Sequence, residues 1–288
     1  MLRKVWFIFA VTCLLTIPIR IYQLLMFVDT GTGFFTDGNV TAAAITVLLV
    51  ISCAAMLILC RKSGGFTAKF GDLHSVPAVV FALLAAASMV AQSVAKLFEI
   101  TAPVSSEVAS PDIEPQTVQH PFLSAALAIV CIAAAVLMAV TAAGLARRSN
   151  PYRNFPVLAL IVPLWSCLDL AVLFVRYTEV VNTIESIYAM FMVIFLLLCL
   201  FAQAQFFAGA DDAKSRQTML ASGFCFSALS LTVTVPNCVM YVLGKPQVCS
   251  LSLPDSLVYL FLALFLQALF FPLVFPRRAV HGDGADRV

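Results

Sequence analysis

Charge is what this sequence has least of. Only 11% of its 288 residues are Asp, Glu, Lys or Arg, against about 25% in soluble domains. So thin a supply cannot cover a water-facing surface, which excludes a soluble globule over most of the length. Histidine is equally scarce. His74, His120 and His281 are the only three, and all lie outside the long apolar runs. That excludes a bis-histidine haem, or a histidine-bound metal, within those runs. No Cys-x-x-Cys pair occurs among the nine cysteines, so a zinc ribbon or a thioredoxin-like dithiol lacks its ligands. The His-Glu-x-x-His, Gly-x-Ser-x-Gly and Walker patterns are missing too. The longest polar connection is residues 101–120, so a soluble catalytic domain has nowhere to sit. No enzyme activity, cofactor or metal is expected. The basic residues form no patch, which removes nucleic acid as a partner.

What remains is apolar. Hydrophobic residues make up 62% of the chain and the mean hydropathy is +1.01. This composition places the chain among all-α polytopic membrane proteins, with the lipid bilayer as its main partner. A spanning helix needs about 20 apolar residues, because every backbone polar group must be paired within the hydrocarbon. Eight segments qualify: 5–28, 40–60, 77–98, 121–146, 156–176, 184–208, 217–242 and 255–275. Pro77, Pro121, Pro156 and Pro254 stand at or beside span starts, where a missing N–H costs nothing. The opening "MLRKVWFIFAVTCLLTIPIR" imitates a signal peptide but lacks a small-x-small cleavage site, and its apolar run continues to Val28. It reads as an uncleaved first span.

Basic residues orient the spans. With the N-terminus inside, thirteen of them fall in inner segments: Arg3, Lys4, Arg61, Lys62, Lys69, Arg147, Arg148, Arg153, Lys214, Arg216, Arg277, Arg278 and Arg287. Only Lys96, Arg176 and Lys245 fall outside, and Arg20 lies within a span. This positive-inside pattern alternates along all eight spans and implies that both termini are cytoplasmic. It suits a plasma membrane, and a bacterial cytoplasmic membrane best. The outer connection 101–120, with Glu107, Asp112, Glu114 and His120, reads as a solvated acidic loop. Residues 29–39 read as a tight glycine-rich outer turn. Cys238 and Cys249 flank another outer loop and would be able to pair if it faces an oxidising compartment.

Residues 1–150 and 151–288 each hold four spans in a similar layout, as two parallel repeats would. Each half opens on a proline-containing span and ends with Arg-Arg, at 147–148 and at 277–278. Spans 2–4 are alanine-rich, so they are expected to pack most tightly. Spans 6 and 8, rich in Leu and Phe, are expected to face lipid over much of their circumference. Gln203, Gln205 and Gln267 would mark their inward sides.

Polar residues inside the oil single out a site. Arg20 lies eight residues from the outer end of span 1 and Asp169 seven from that of span 5, a depth of about 10–12 Å in each case. Arg20 is long enough to snorkel outward. Aspartate is not, so Asp169 needs a partner or a proton. Their matched depth suggests that they pair or share one wet cavity. Ser88, Gln92, Lys96 and Glu99 recur on one face of span 3, and Gly223, Ser227, Ser230, Thr234, Asn237 and Tyr241 form a stripe along span 7. Such a stripe marks either a protein seam or a channel wall. Gln23 follows Arg20 by one turn, and Arg176 and Glu185 complete an outer polar group. Pro18, Pro163 and Pro236 stand close by as candidate kinks. Two functions fit these residues. One is a small-solute transporter or permease-like protein with an outward-facing cavity lined by Arg20, Gln23, Gln92, Lys96, Asp169, Arg176, Glu185 and Asn237. The other is a non-catalytic membrane scaffold that assembles with other membrane subunits.

Overall fold

The computed structural model describes residues 1–28, 40–63, 70–101, 121–177, 183–210, 213–245 and 249–275. Among the described residues there are eight helices long and apolar enough to cross a membrane, and no strand. They are α1 (Leu2–Met26), α2 (Val40–Lys62), α3 (Val76–Thr101), α4 (Pro121–Arg147), α5 (Ile161–Tyr177), α6 (Thr183–Ala208), α7 (Ala213–Val242) and α8 (Leu253–Val274). A 3-10 turn, Pro156–Leu160, leads directly into α5 and completes its apolar length. The turn 29–39 and the acidic loop 101–120, apart from Thr101, lie outside the described residues.

Prolines explain four of the eight helix starts. Pro77 and Pro254 are the second residues of α3 and α8, and Pro121 is the first of α4. Each leaves unmade only a bond that the first turn never has. Pro163 behaves the same way. It is the third residue of α5, just past the 3-10 junction, and not a mid-helix kink. Pro18 and Pro236 do lie inside their helices.

The interior is organised around α7. Its apolar window is 83% buried, against 28–56% for the other seven spans. It packs against α1, α2, α6 and α8, while α3 packs against α4 and α8, and α5 bridges α4 and α6. Helices α3 and α7, equivalent under a four-helix repeat, thus have different neighbour sets. Packing also crosses residue 150, since α3 packs extensively against α8 as well as against α4.

The Ala-rich pair α3 and α4 does pack closely, as small side chains allow. Helices α6 and α8 depart from expectation. Over half of the α6 window and half of the α8 window are buried. Phe265, Phe270, Leu262, Leu266 and Leu269 of α8 have no exposure. Flanking the central helix gives these bulky residues an interior to fill, so residue size alone does not say which face meets lipid. Gln203 is buried as expected, and Gln205 accepts a hydrogen bond from Ser215 Oγ at 2.7 Å.

The end of the bundle where α4 and α6 finish is tied by the 148–155 connection. Asn150 Nδ2 donates to Phe207 O at 2.7 Å, and its Oδ1 accepts from the Tyr152 amide at 3.0 Å. Tyr152 stacks on Phe207 at 5.7 Å, and its hydroxyl lies 3.0 Å from Leu137 O and 2.6 Å from Thr141 Oγ1. Burial pushes the Tyr152 phenol up from its ordinary value, with the Thr141 hydrogen bond opposing in part. The neutral form is therefore the one that the fold favours. The stability it supplies is fully present below about pH 10 and is lost as pH climbs above that value. Thermal unfolding in detergent micelles is expected to show a steeper alkaline loss for the wild type than for Tyr152→Phe. Parallel pH profiles would remove this assignment.

Candidate functional site

The site begins with a helix cap. "SLPD", residues 252–255, opens α8 as a capping box: Ser252 Oγ accepts from the Asp255 amide at 3.3 Å and donates to Asp255 Oδ2 at 2.7 Å. The cap holds the Asp255 side chain rigidly at the α8 terminus, facing α3. There Gln92 Nε2 donates to Asp255 Oδ1 at 2.8 Å, and Lys96 Nζ lies 3.9 Å from Oδ2. Lys96 is 4% exposed and Asp255 7%, so this ion pair is largely out of solvent, where charges must be paired.

One turn along α8, Tyr259 donates its hydroxyl proton to Asp169 Oδ2 on α5. Ser230 Oγ of α7 donates to Tyr259 O at 2.9 Å and fixes the α7–α8 contact at this level. Behind Gln92, the Cys131 thiol of α4 donates to Gln92 Oε1 at 3.3 Å and to Met89 O at 3.2 Å. Trp165, wholly buried one turn before Asp169, faces the Cys131 sulfur. Side chains from five helices therefore converge on one level of the bundle.

Beside Lys96, Asp169, Asp255 and Tyr259 is a cavity of about 50 Å³, lined by these four with Val172, Leu173, Ser250 and Leu251. It lies near the C-terminal ends of α3 and α5 and the N-terminal end of α8. Asp169 is eight residues from the end of α5, about 12 Å along the axis. The volume suits a few waters or one small ion. Pockets for metabolite-sized ligands run to about 300–1,000 Å³. Among the described residues, two carboxylates and one ammonium line this cavity.

Three of the residues singled out in the sequence, Gln92, Lys96 and Asp169, are thus brought together. Arg20 is not part of this lining. It lies on α1 with Gln23, whose Oε1 accepts from Arg20 Nη1, and with Tyr188 of α6, whose ring centroid is 5.7 Å from the guanidinium. Tyr188 in turn hydrogen-bonds Thr46 and Ala42 O of α2. Gln23 Nε2 and Asn237 Nδ2 are buried with no hydrogen-bond partner among the described residues. The Arg176, Glu185 and Glu99 side chains lie outside the described residues. Cys238 and Cys249 are not joined by a disulfide; Cys249 Sγ instead lies 3.6 Å from Asn237 O.

The α7 stripe is a packing seam and not a channel wall. Gly223 admits the Phe270 ring, Ser227 Oγ approaches Ala263 O at 3.5 Å, Ser230 bonds Tyr259 O, and Tyr241 Oη donates to Leu251 O at 3.1 Å. All four partners belong to α8 or to the segment just before it. Asp255 and Tyr259 went unmarked in the sequence. The Ser-x-x-Asp box before an apolar run signals Asp255, and Tyr259 follows at i+4 on the same face. That this face meets α3 and α5 is visible only in the fold.

No protein-family model matches this chain, and neither does any curated protein or solved structure.

Proposed function

We propose that this chain is a multi-pass protein of a plasma membrane, with both termini cytoplasmic, that moves a small solute through the polar cavity between α3, α5 and α8. One observation carries the reading: Lys96, Asp169 and Asp255 from three separate helices line a single cavity within eight long apolar helices. Ionisable groups at membrane depth are costly and mark solute or ion pathways more often than they serve packing. The distribution of Lys and Arg supports an orientation with that end of the bundle outside, in which the cavity is an outer-half site. No catalytic residue is assigned, and no cofactor or nucleic acid.

The α7–α8 seam and the Arg20–Tyr188 contact favour the second reading, a scaffold whose polar groups join helices. Both are direct interhelical contacts of that kind. Flux decides between the two. Asp169→Asn keeps the shape of the side chain and removes its charge. In proteoliposomes assayed with a panel of inorganic ions and small organic solutes, it is expected to lower transport of the native solute roughly tenfold or more, the effect of about 1.4 kcal/mol of lost binding. Equal flux for wild type and variant with every solute would leave the scaffold reading in place.

A further inference from the structure

We infer that the end of the bundle where α4 finishes carries a binding site for an anionic phospholipid. Arg147, Arg148 and Arg153 hold the headgroup phosphate, and the exposed apolar start of the fifth span lies along an acyl chain. The site requires the eight helices to lie in a bilayer and nothing of the transport reading.

The first observation is a helix cap. Helices α4, α6 and α7 close with the same pair of backbone bonds. In α4 the Ser149 amide donates to Gly144 O at 3.0 Å and the Arg148 amide to Leu145 O at 3.2 Å. In α6 the donors are Ala210 and Gly209, and in α7 they are Lys245 and Gly244. The residue at the turn has positive φ in all three: 71° at Gly209, 72° at Gly244 and 54° at Arg148. Glycine is the usual occupant, because a β-carbon is crowded there. Arg148 is the one non-glycine residue with positive φ among the described residues. A side chain kept where the backbone disfavours it points to a use for that side chain.

The second observation is rigidity. A β-carbon on Gly144 would meet the Pro151 ring at 2.6 and 2.9 Å, so the connection lies directly on α4. Asn150 ties it to Phe207 O of α6, and Tyr152 is buried between. The segment carrying the three arginines is therefore held in place before any ligand arrives, and little ordering opposes binding.

The third is chemistry. All three arginines are exposed, and none has an ion-pair partner among the described residues. No Asp or Glu occurs in the sequence between Glu114 and Asp169. A guanidinium presents a planar fork of N–H donors that matches two phosphate oxygens. Directly after the arginines the chain enters its fifth span with apolar side chains turned outward. Phe155 is 68% exposed and Val157 72%, and Leu158 and Leu160 are exposed beside them. Cations followed by bare apolar side chains match an amphiphile, whereas a free phosphate ion would use only the cations. Basic residues beside a membrane attract anionic lipid in general. The clamped frame and the arginine in a glycine's place set this group apart. Arg61 and Lys62, exposed in the last turn of α2, supply the comparison.

Arg148→Gly is the informative variant, since glycine suits the cap while one guanidinium is lost. Binding to the delipidated full chain in detergent is measured by native mass spectrometry. The probes are phosphatidylglycerol and phosphatidylcholine with the same acyl chains, with inorganic phosphate as a competitor. Phosphatidylglycerol is expected to bind about tenfold or more tightly than phosphatidylcholine, and inorganic phosphate to leave it bound. Arg148→Gly is expected to weaken phosphatidylglycerol about fivefold, the effect of one basic residue at an anionic surface, with an unfolding midpoint no lower than the wild type's. Replacing Arg61 and Lys62 together by Gln removes two charges and is expected to weaken it less than about twofold, because diffuse attraction is screened. Equal affinity for the two lipids would overturn the proposal, as would unchanged phosphatidylglycerol binding in Arg148→Gly. An equal or larger loss in the Arg61, Lys62 variant would reduce the effect to diffuse attraction. Displacement by inorganic phosphate would make the occupant a free anion, and an Arg148→Gly protein that unfolds earlier would show that the cap wants its arginine for stability alone. Flux enters none of these measurements, so the transport reading stands or falls separately.

Discussion

Asp255→Ala is expected to cost about 3–5 kcal/mol of folding stability, the range for stripping one partner from a buried charge pair. Several interactions fail together. Lys96 loses the carboxylate 3.9 Å from its Nζ, Gln92 loses an acceptor at 2.8 Å, and Ser252 loses the acceptor that closes the α8 cap. Asp255→Asn is expected to cost less, because the shape and one acceptor oxygen persist. Combining Asp255→Asn with Lys96→Met removes both charges and is expected to recover most of the loss, since neutral replacement of a buried pair is often close to cost-free. Unfolding in mixed micelles, followed by tryptophan emission, measures all four proteins. An Asp255→Ala protein within about 0.5 kcal/mol of the wild type would mean that the pair is solvated like a surface pair, and the charge argument for the cavity would go with it.

The second large effect is expected at the α7–α8 seam. A β-carbon on Gly223 would meet Phe270 Cε2 at 2.5 Å, Cζ at 2.7 Å and Cys199 Sγ at 3.1 Å. Phe270 is fully buried, with its ring centroid 5.5 Å from that of Phe224, so it has little room to swing. Gly223→Val is therefore expected to destabilise by about 1–3 kcal/mol through overpacking. Phe270→Ala acts oppositely, by leaving a hole. In lipid the separated helices still bury their apolar faces, so transfer contributes little and the cavity dominates. At ~24 cal/mol per Å³ over roughly 100 Å³, that is about 2 kcal/mol. The double variant is expected to lose less than the sum, because valine fills part of the space that the ring vacates. A coupling of at least about 0.5 kcal/mol is the signature of this contact, and strict additivity would show that the two residues do not touch.

Gln92, Lys96 and Asp169 stood out in the sequence because a charge or amide in a long apolar run is conspicuous. Their partners did not. Asp255 reads locally as a helix cap and Tyr259 as an ordinary interfacial aromatic, since Gln92 and Asp255 are separated by 163 positions with no local sign that α3 and α8 meet. Matched depth suggested that Arg20 and Asp169 pair or share one wet cavity, and depth fixes only one coordinate of three. The other two depend on the rotation of each helix and on the order of its neighbours, which set Arg20 with Gln23 and Tyr188 and outside the cavity lining. The α7 stripe was likewise read correctly as an inward face, while its use as a seam followed from the position of α8 against it.

The sequence by itself determined eight long apolar helices and half of their starting points. A helix satisfies its own backbone hydrogen bonds, and a proline at its first turn leaves nothing unpaired, so both properties are decided within some twenty consecutive residues. Tertiary structure decided which helix became the centre, which bulky faces turned inward and which charges met. Those outcomes depend on side chains from distant segments fitting one another, and no local periodicity encodes them.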